Sequence, residues 1–160
     1  MVKVSVIVPI YNVEKYIEDC AKSLFQQTLN DIEYIFVNDC TPDNSIKILK
    51  EVLDAYPERK NQVKIVNLEV NSGQAAARKR GVSEATGDFI IFCDGDDWVD
   101  KNMYQRLYDC AIQHNYDFVR CLFSRVSEGH QALCKLIPPE SYANKKQLLS
   151  YLIRSSDFSS

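Results

Sequence analysis

Glycine and proline are scarce in this 160-residue chain, with five of each, and that scarcity removes several chemistries at once. Neither G-x-G-x-x-G nor G-x-x-x-x-G-K-[ST] occurs, so dinucleotide and Walker-type phosphate loops are absent. The two histidines, His114 and His130, stand apart, and there is no H-E-x-x-H or G-x-S-x-G, which leaves triad hydrolysis without support. Six cysteines form no C-x-x-C pair, so neither a zinc knuckle nor a thioredoxin-type site is written. Cys93 and Cys121 lie inside apolar patterns instead, where cysteine acts as a small hydrophobe. A basic excess is missing too: the net charge of -3 offers no global field for nucleic acid or anionic lipid. Long hydrophobic runs are absent, since Val4 to Ile10 is too short for a signal peptide core or a membrane span. A reduced, cytoplasmic protein with no nucleic-acid partner and no transmembrane segment is expected, and peripheral association with a membrane is left open.

What is present is ordinary in amount and particular in arrangement. Apolar residues make up 46% and charged residues 26%, the balance of a globular domain. A chain of this length buries roughly 70% of its unfolded surface, enough to fold without a disulfide or metal staple. Short β-branched runs alternate with longer amphipathic stretches. Lys3 to Ile10, Ile32 to Val37, Val63 to Leu68, Asp88 to Cys93 and Tyr116 to Phe123 read as strands. Between them, Glu14 to Gln27, Asn44 to Tyr56, Gln74 to Ala85 and Lys101 to Asn115 read as helices, the third stopped by Gly87. That rhythm is the signature of α/β architecture, a mostly parallel sheet with helices on both faces. After Phe123 it fails: Ser127 to Pro139 reads as loop and Lys145 to Ile153 as one more short helix.

In such sheets ligands bind beyond the carboxyl ends of the strands, and here those ends are polar. They carry Pro9-Ile10-Tyr11-Asn12, Asn38-Asp39-Cys40-Thr41-Pro42-Asp43, Asn71-Ser72-Gly73 and Asp94-Gly95-Asp96-Asp97. From Gly81 to Asp100 there are six acids and no lysine or arginine, just after Arg78-Lys79-Arg80. Three carboxylates crowded behind a buried strand raise one another's pKa unless a cation shares them. Mg²⁺ or Mn²⁺ does so readily, taking one or two carboxylates and completing its shell with phosphate oxygens and water. Gly95 lets the backbone turn there and approach a ligand. The alternative is a solvated acidic turn in which Asp97 or Asp100 caps the next helix. Asp39 stands where a base or ribose would sit and can accept from an imide N–H; an Asx-type turn is its plainer reading, and Asp43 is the expected N-cap of the following helix. Arg78 is the cation best placed for a diphosphate, or else part of a solvated helix face. Tyr11 suits the flank of a base, or packing.

Taken in order, these segments resemble family 2 glycosyltransferases of the GT-A (Rossmann-like) fold. Ser5 to Asn12 resembles that family's first strand and loop, and Leu24-Phe25-Gln26-Gln27-Thr28 its S-L-x-x-Q-T helix end. Val37 to Asp43 is similar to V-D-D-G-S-x-D, Asn71 through Gly81 to N-x-G-x-x-x-A-R-N-x-G, and Gly87 through Asp97 to the strand entering its D-x-D motif. The departures are Asn38 for Asp, Cys40 for Gly and Lys79 for Asn. The resemblance implies an αβα sandwich over residues 1–123 that binds a nucleoside-diphosphate sugar, with UDP-sugar the implied donor. It implies inverting transfer to a saccharide or lipid-linked acceptor in polysaccharide or glycoconjugate synthesis. Pro9, Tyr11, Asp39, Arg78 and Asp94 would contact the nucleotide-sugar, with Asp39 on the base and Asp94 on the ribose, and Asp96 would hold Mn²⁺ or Mg²⁺. The general base of such enzymes is an Asp, commonly in an E-D pair; residues 124–160 contain no such pair, and Asp157 lies in no matching context. That region is therefore expected to begin an acceptor side that continues past residue 160, where the base would lie. A non-catalytic nucleotide-sugar module and a D-x-D phosphatase are the competing readings.

Overall fold

The computed structural model describes residues 1–121, 123–127 and 130–134. Strand β1 (Val4–Ile10) is buried along its whole length, as a central parallel strand must be. Its side chains alternate between faces. Val4, Val6, Val8 and Ile10 enter the larger core, while Ile7 enters a smaller one on the opposite face. Helix α1 (Ile17–Phe25) covers the larger face with Ile17, Cys20, Ala21, Leu24 and Phe25. Strand β2 (Ile32–Asn38) lies parallel to β1, pairing Val4 with Ile32 and Ile10 with Asn38. Helix α2 (Ser45–Asp54) adds Leu49 and Val52 to the same core.

Strand β3 (Val63–Asn67) runs parallel to β2 on its outer side. Helix α3 (Gln74–Glu84) then crosses to the smaller face, where Ala77 meets Ile7, Ile35, Val37 and Val66. Strand β4 (Phe89–Phe92) joins β1 in parallel, and α4 (Met103–His114) returns Tyr104 to the larger core. The sheet order is β3-β2-β1-β4, with α1, α2 and α4 on one face and α3 on the other, as the alternating pattern predicts. No helix among the described residues is long and apolar enough to cross a membrane.

The sheet ends sooner than the sequence pattern implies. Residues 116–121 form no strand; β5 (Phe123–Ser127) instead pairs antiparallel with β6 (His130–Cys134). The stretch expected to be a fifth parallel strand is thus mostly coil, and the expected loop from Ser127 holds a strand. Tyr116 and Phe118 are exposed, so the apolar residues that suggested a buried strand face solvent, and Cys121 is exposed rather than a core hydrophobe. Residues Met1–Val119 form one compact unit, and the hairpin belongs to a second beginning at Arg120. The helix expected at Lys145 to Ile153 lies outside the described residues.

Two close approaches explain glycines. A Cβ on Gly81 would lie 2.3 Å from Ile7 Cγ2, so only glycine lets α3 rest on β1 at this distance. Gly87 does not stop α3, which is capped at Ala85 in extended conformation. A Cβ on Gly87 would lie 2.8 Å from the Ser5 backbone nitrogen, so its role is to bring the turn against β1.

A buried arginine finishes α1. The last four carbonyls of a helix lack intrahelical partners, and all four find one here. The Lys22 carbonyl accepts from Gln26 N–H and that of Leu24 from Gln27 N–H. The Ser23 carbonyl accepts from Gln27 Nε2 and that of Phe25 from Arg59 Nε at 2.9 Å. Arg59 also donates to the Gln27 carbonyl at 2.5 Å and to Gln62 Oε1 at 2.9 Å, from a 3₁₀ turn (Pro57–Gln62) with 8% of its surface exposed. A guanidinium spans several carbonyls where an ammonium cannot. Arg59→Met is expected to cost about 2–4 kcal/mol in urea unfolding, because at least two buried carbonyls lose their donors, and Arg59→Lys should recover only a minor part.

Candidate functional site

Parallel pairing brings the carboxyl ends of β1, β2 and β4 to one edge of the sheet, with the segment after β3 beside them. A cleft of about 340 Å³ opens there, walled by Pro9, Tyr11, Asp39, Gly73, Asp94 and Asp96. That volume is in the range of small-molecule sites. Five of the six residues expected at the donor and metal site, Pro9, Tyr11, Asp39, Asp94 and Asp96, therefore share one cavity. The sixth, Arg78, meets it through an ion pair with Asp94.

The β1–α1 and β2–α2 loops are laced together beside this cleft. Three successive N–H groups, of Asn12, Val13 and Glu14, donate to Thr41 Oγ1, Ser45 Oγ and Asp43 Oδ2 at 2.8, 3.2 and 2.9 Å. Both hydroxyls in turn donate to Asp43 Oδ1, at 2.7 and 2.6 Å. Asp43 is thus the hub of the two loops rather than a simple N-cap; the N-cap of α2 is Asn44. Partial burial pushes the Asp43 carboxyl up, but the bonds from Ser45, Thr41 and the Glu14 backbone outweigh it and bring it down to about 2. Cys40 has φ 56°, a left-handed conformation that costs a side chain roughly 1–2 kcal/mol; the glycine of the resembled motif has this backbone reason. Asn38, the other departure, donates to Asn67 Oδ1 and accepts from Thr41 N–H, both at 2.9 Å.

Asp39 is 2% exposed. Its two oxygens accept the backbone N–H groups of Ser72 and Gly73 at 2.7 and 2.8 Å. Gly73 is at φ 84°, open to glycine at no steric cost, and starts α3. The carboxylate therefore fastens the start of α3 to the end of β2, and each oxygen retains one further lone pair toward the cleft.

The acidic turn is held from below. Cys20 and Cys93 thiols both reach the Asp94 carbonyl at 3.6 Å; hydrogen bonding between the Cys20 thiol and Cys93, then burial, pushes the Cys20 thiol far up, so it stays protonated. Asp97 N–H closes the turn on the same carbonyl at 3.0 Å. Beyond it, Ser23 Oγ accepts Val99 N–H at 3.2 Å, and Gln27 donates to the Asp100 carbonyl at 2.8 Å while accepting Tyr104 N–H at 3.2 Å. These bonds give the S-L-x-x-Q-T helix end its structural meaning. Gly95 approaches Val13 Cγ2 and the Pro9 carbonyl, which an added Cβ would meet at 3.1 and 3.2 Å, so its contact is with the β1 loop. Asp100 takes Asn102 N–H at 2.9 Å in a local turn; the N-cap of α4 is Asn102, not Asp100 as the sequence suggests.

Within the turn the three acids differ. Asp94 Oδ1 accepts from Arg78 Nη2 at 2.6 Å and Gln74 Nε2 at 3.1 Å, and the Arg78 guanidinium lies 5.5 Å over the Phe92 ring. Burial, then the charges of Asp96 and Asp94, pushes Asp97 up from the usual carboxylate range. Among the described residues no three His, Cys, Asp or Glu converge as a ready-made metal cage. One or two carboxylates at an open cleft nonetheless fit Mg²⁺ or Mn²⁺, which bring most of their shell as water and phosphate oxygen. Gln74, a wall residue, was missed in the sequence; its position one helical turn before Arg78 was the available signal.

The model of glycosyl transferase family 2 matches residues 5–154. Among curated proteins, the chain is 42% identical over 142 residues to the glycosyltransferase EpsJ of Bacillus subtilis, covering 89% of this chain and 39% of EpsJ. Glycosyltransferase GlyG of Streptococcus pneumoniae is 38% identical over 116 residues, covering 72% and 37%. The chain thus spans less than half the length of either relative. Among solved structures, S. aureus TarS in complex with UDP-GlcNAc superimposes with a TM-score of 0.64 at 32% identity, over 71% of this chain and 32% of that one.

Asp43 makes the loop network pH-sensitive in a defined direction. Its folded pKa lies below the unfolded value near 3.9, so its stabilisation is complete above that value and fades as pH falls toward about 2. Asp43→Asn is expected to cost about 1–3 kcal/mol at pH 6, and to flatten the fall in melting temperature between pH 5 and pH 2.5 relative to the parent chain.

Proposed function

This chain belongs to glycosyl transferase family 2, and on that premise we propose that its cleft binds a nucleoside-diphosphate sugar, with UDP-sugar the favoured donor, for inverting transfer to an acceptor hydroxyl. The observation that carries the reading is the convergence of Asp39, Asp94 and Asp96 on one cavity at the carboxyl edge of a parallel sheet. The similarity to TarS, a structure described with UDP-GlcNAc, supports uridine as the nucleoside.

Each residue has a part suited to its place. Pro9 and Tyr11 form the wall against which the base lies. Asp39 holds the α3 start in register and offers its remaining lone pairs to the imide N–H of uracil. Asp94, paired with Arg78, faces the ribose. Asp96, with Asp97 beside it, would hold Mn²⁺ or Mg²⁺. Such a cation stabilises the negative charge that develops on the departing diphosphate. Asp96 would set its place, and Arg78 keeps Asp94 from adding a further uncompensated charge. Proton removal from the acceptor belongs to a group outside this cleft, and acceptor choice with it; polysaccharide or glycoconjugate synthesis is the proposed setting.

Thermal unfolding with nucleoside diphosphates tests the reading. At a hundredfold excess over Kd, a ligand that binds only the folded chain adds about 2.7 kcal/mol of stability. UDP with Mn²⁺ is expected to raise the melting temperature by several degrees and more than GDP or CDP does; Asp96→Ala should remove the Mn²⁺-dependent part. A UDP shift unchanged by chelator, or absent from a folded chain, would overturn the proposal.

A further inference from the structure

Gln74 stands at an unspecified position of the motif from Asn71 to Gly81, yet its amide reaches the Asp94 carboxylate at the cleft. We propose that Gln74 is a positioning residue for ribose recognition, fixing the Asp94 carboxylate so that one oxygen is consumed within the protein and the other is presented to a sugar hydroxyl. The inference rests on the nucleotide-sugar reading of the cleft.

The geometry is specific. Gln74 and Arg78 are one turn apart on α3 and so share a helix face. Both donate to the same atom, Asp94 Oδ1, at 3.1 and 2.6 Å. Two donors saturate the lone pairs of that oxygen and leave Oδ2 as the acceptor for a ligand. One donor would not suffice, because the terminal torsion of an aspartate is broad and a carboxylate held at one point swings about it. Arg78 is itself steadied by Phe92, 5.5 Å from its guanidinium, and supplies the charge. Gln74 supplies direction without charge. A second cation in its place would turn the neutral Asp94–Arg78 pair positive, beside the acids expected to hold a metal. Gln74 also lines the cavity, so its effect falls on the ligand side of Asp94 and not on the core.

A ribose hydroxyl donating to a charged acceptor distinguishes ribonucleotides from deoxyribonucleotides. Calorimetric titration of UDP and 2′-deoxy-UDP, each with Mn²⁺, reads this directly. The parent chain is expected to prefer UDP by about tenfold or more, the range of one hydrogen bond to an ionised group. In Gln74→Ala and in Gln74→Met, which keeps length but has no donor, the preference should fall to within about threefold. The Mn²⁺ requirement and melting temperature should stay those of the parent, which separates positioning from folding; if one variant fails to fold, the other carries the test. An unchanged preference in the folded variants overturns the inference. Equal binding of the two nucleotides by the parent overturns it while leaving the nucleotide reading intact, and binding of neither overturns both.

Discussion

A carboxylate with 2% of its residue surface exposed is accommodated only if hydrogen-bond donors replace the water it has lost. Asp39 meets that condition with two backbone N–H groups, those of Ser72 and Gly73. The rest of the cleft depends on this exchange. It joins the end of β2 to the start of α3, and α3 carries both residues that hold Asp94. Without the clamp, the segment from Leu68 to Gly73 would have no fixed end, and the register of Gln74 and Arg78 toward β4 would be lost. Asp39 thus shapes the cavity before it can read any ligand.

The electrostatics follow from how unevenly the three acids of the β4 turn are compensated. Asp94 has a cation and an amide; among the described residues Asp96 and Asp97 have no comparable partner, and Asp97 is pushed up by burial and by its neighbours. Negative potential is therefore concentrated at one end of the cleft while the other is neutralised. A divalent ion arriving with a diphosphate would find its place at the first end, and neutral hydroxyls theirs at the second. In the proposed reading both would meet the same polypeptide turn, whose Asp94 carbonyl takes two thiols and the Asp97 N–H.

Much of this was legible in the residues. Four of the expected strands and all four expected helices of the first unit form, and their polar ends meet at one edge, because apolar periodicity reports burial and parallel topology dictates which ends gather. The fifth strand was misread because Tyr116, Phe118 and Phe123 are apolar without being buried: periodicity shows that a segment can be covered, not that anything covers it. Arg59 left no mark in the sequence, and Gln74 only its spacing from Arg78, for a related reason. A surface-type residue in a helix or turn acquires its role only when another segment, distant in sequence, presents carbonyls or a carboxylate to it. Cys40 was noticed as a departure, but its left-handed backbone was not, since φ is a property of the turn.

The sequence by itself determined the class of sheet, the edge at which chemistry gathers, and the acids placed there, since these depend on local patterns of apolar and polar residues. Tertiary structure alone decided which of those acids are already spent. Asp43 binds the two loops and Asp39 clamps α3, while Asp94 is held by Arg78 and Gln74, leaving Asp96 foremost in the open cleft. The reason is physical: a carboxylate's character is set by the donors facing it, and for Asp39 and Asp94 those come from segments 16 to 34 residues away in the chain, whose approach only the folded packing fixes.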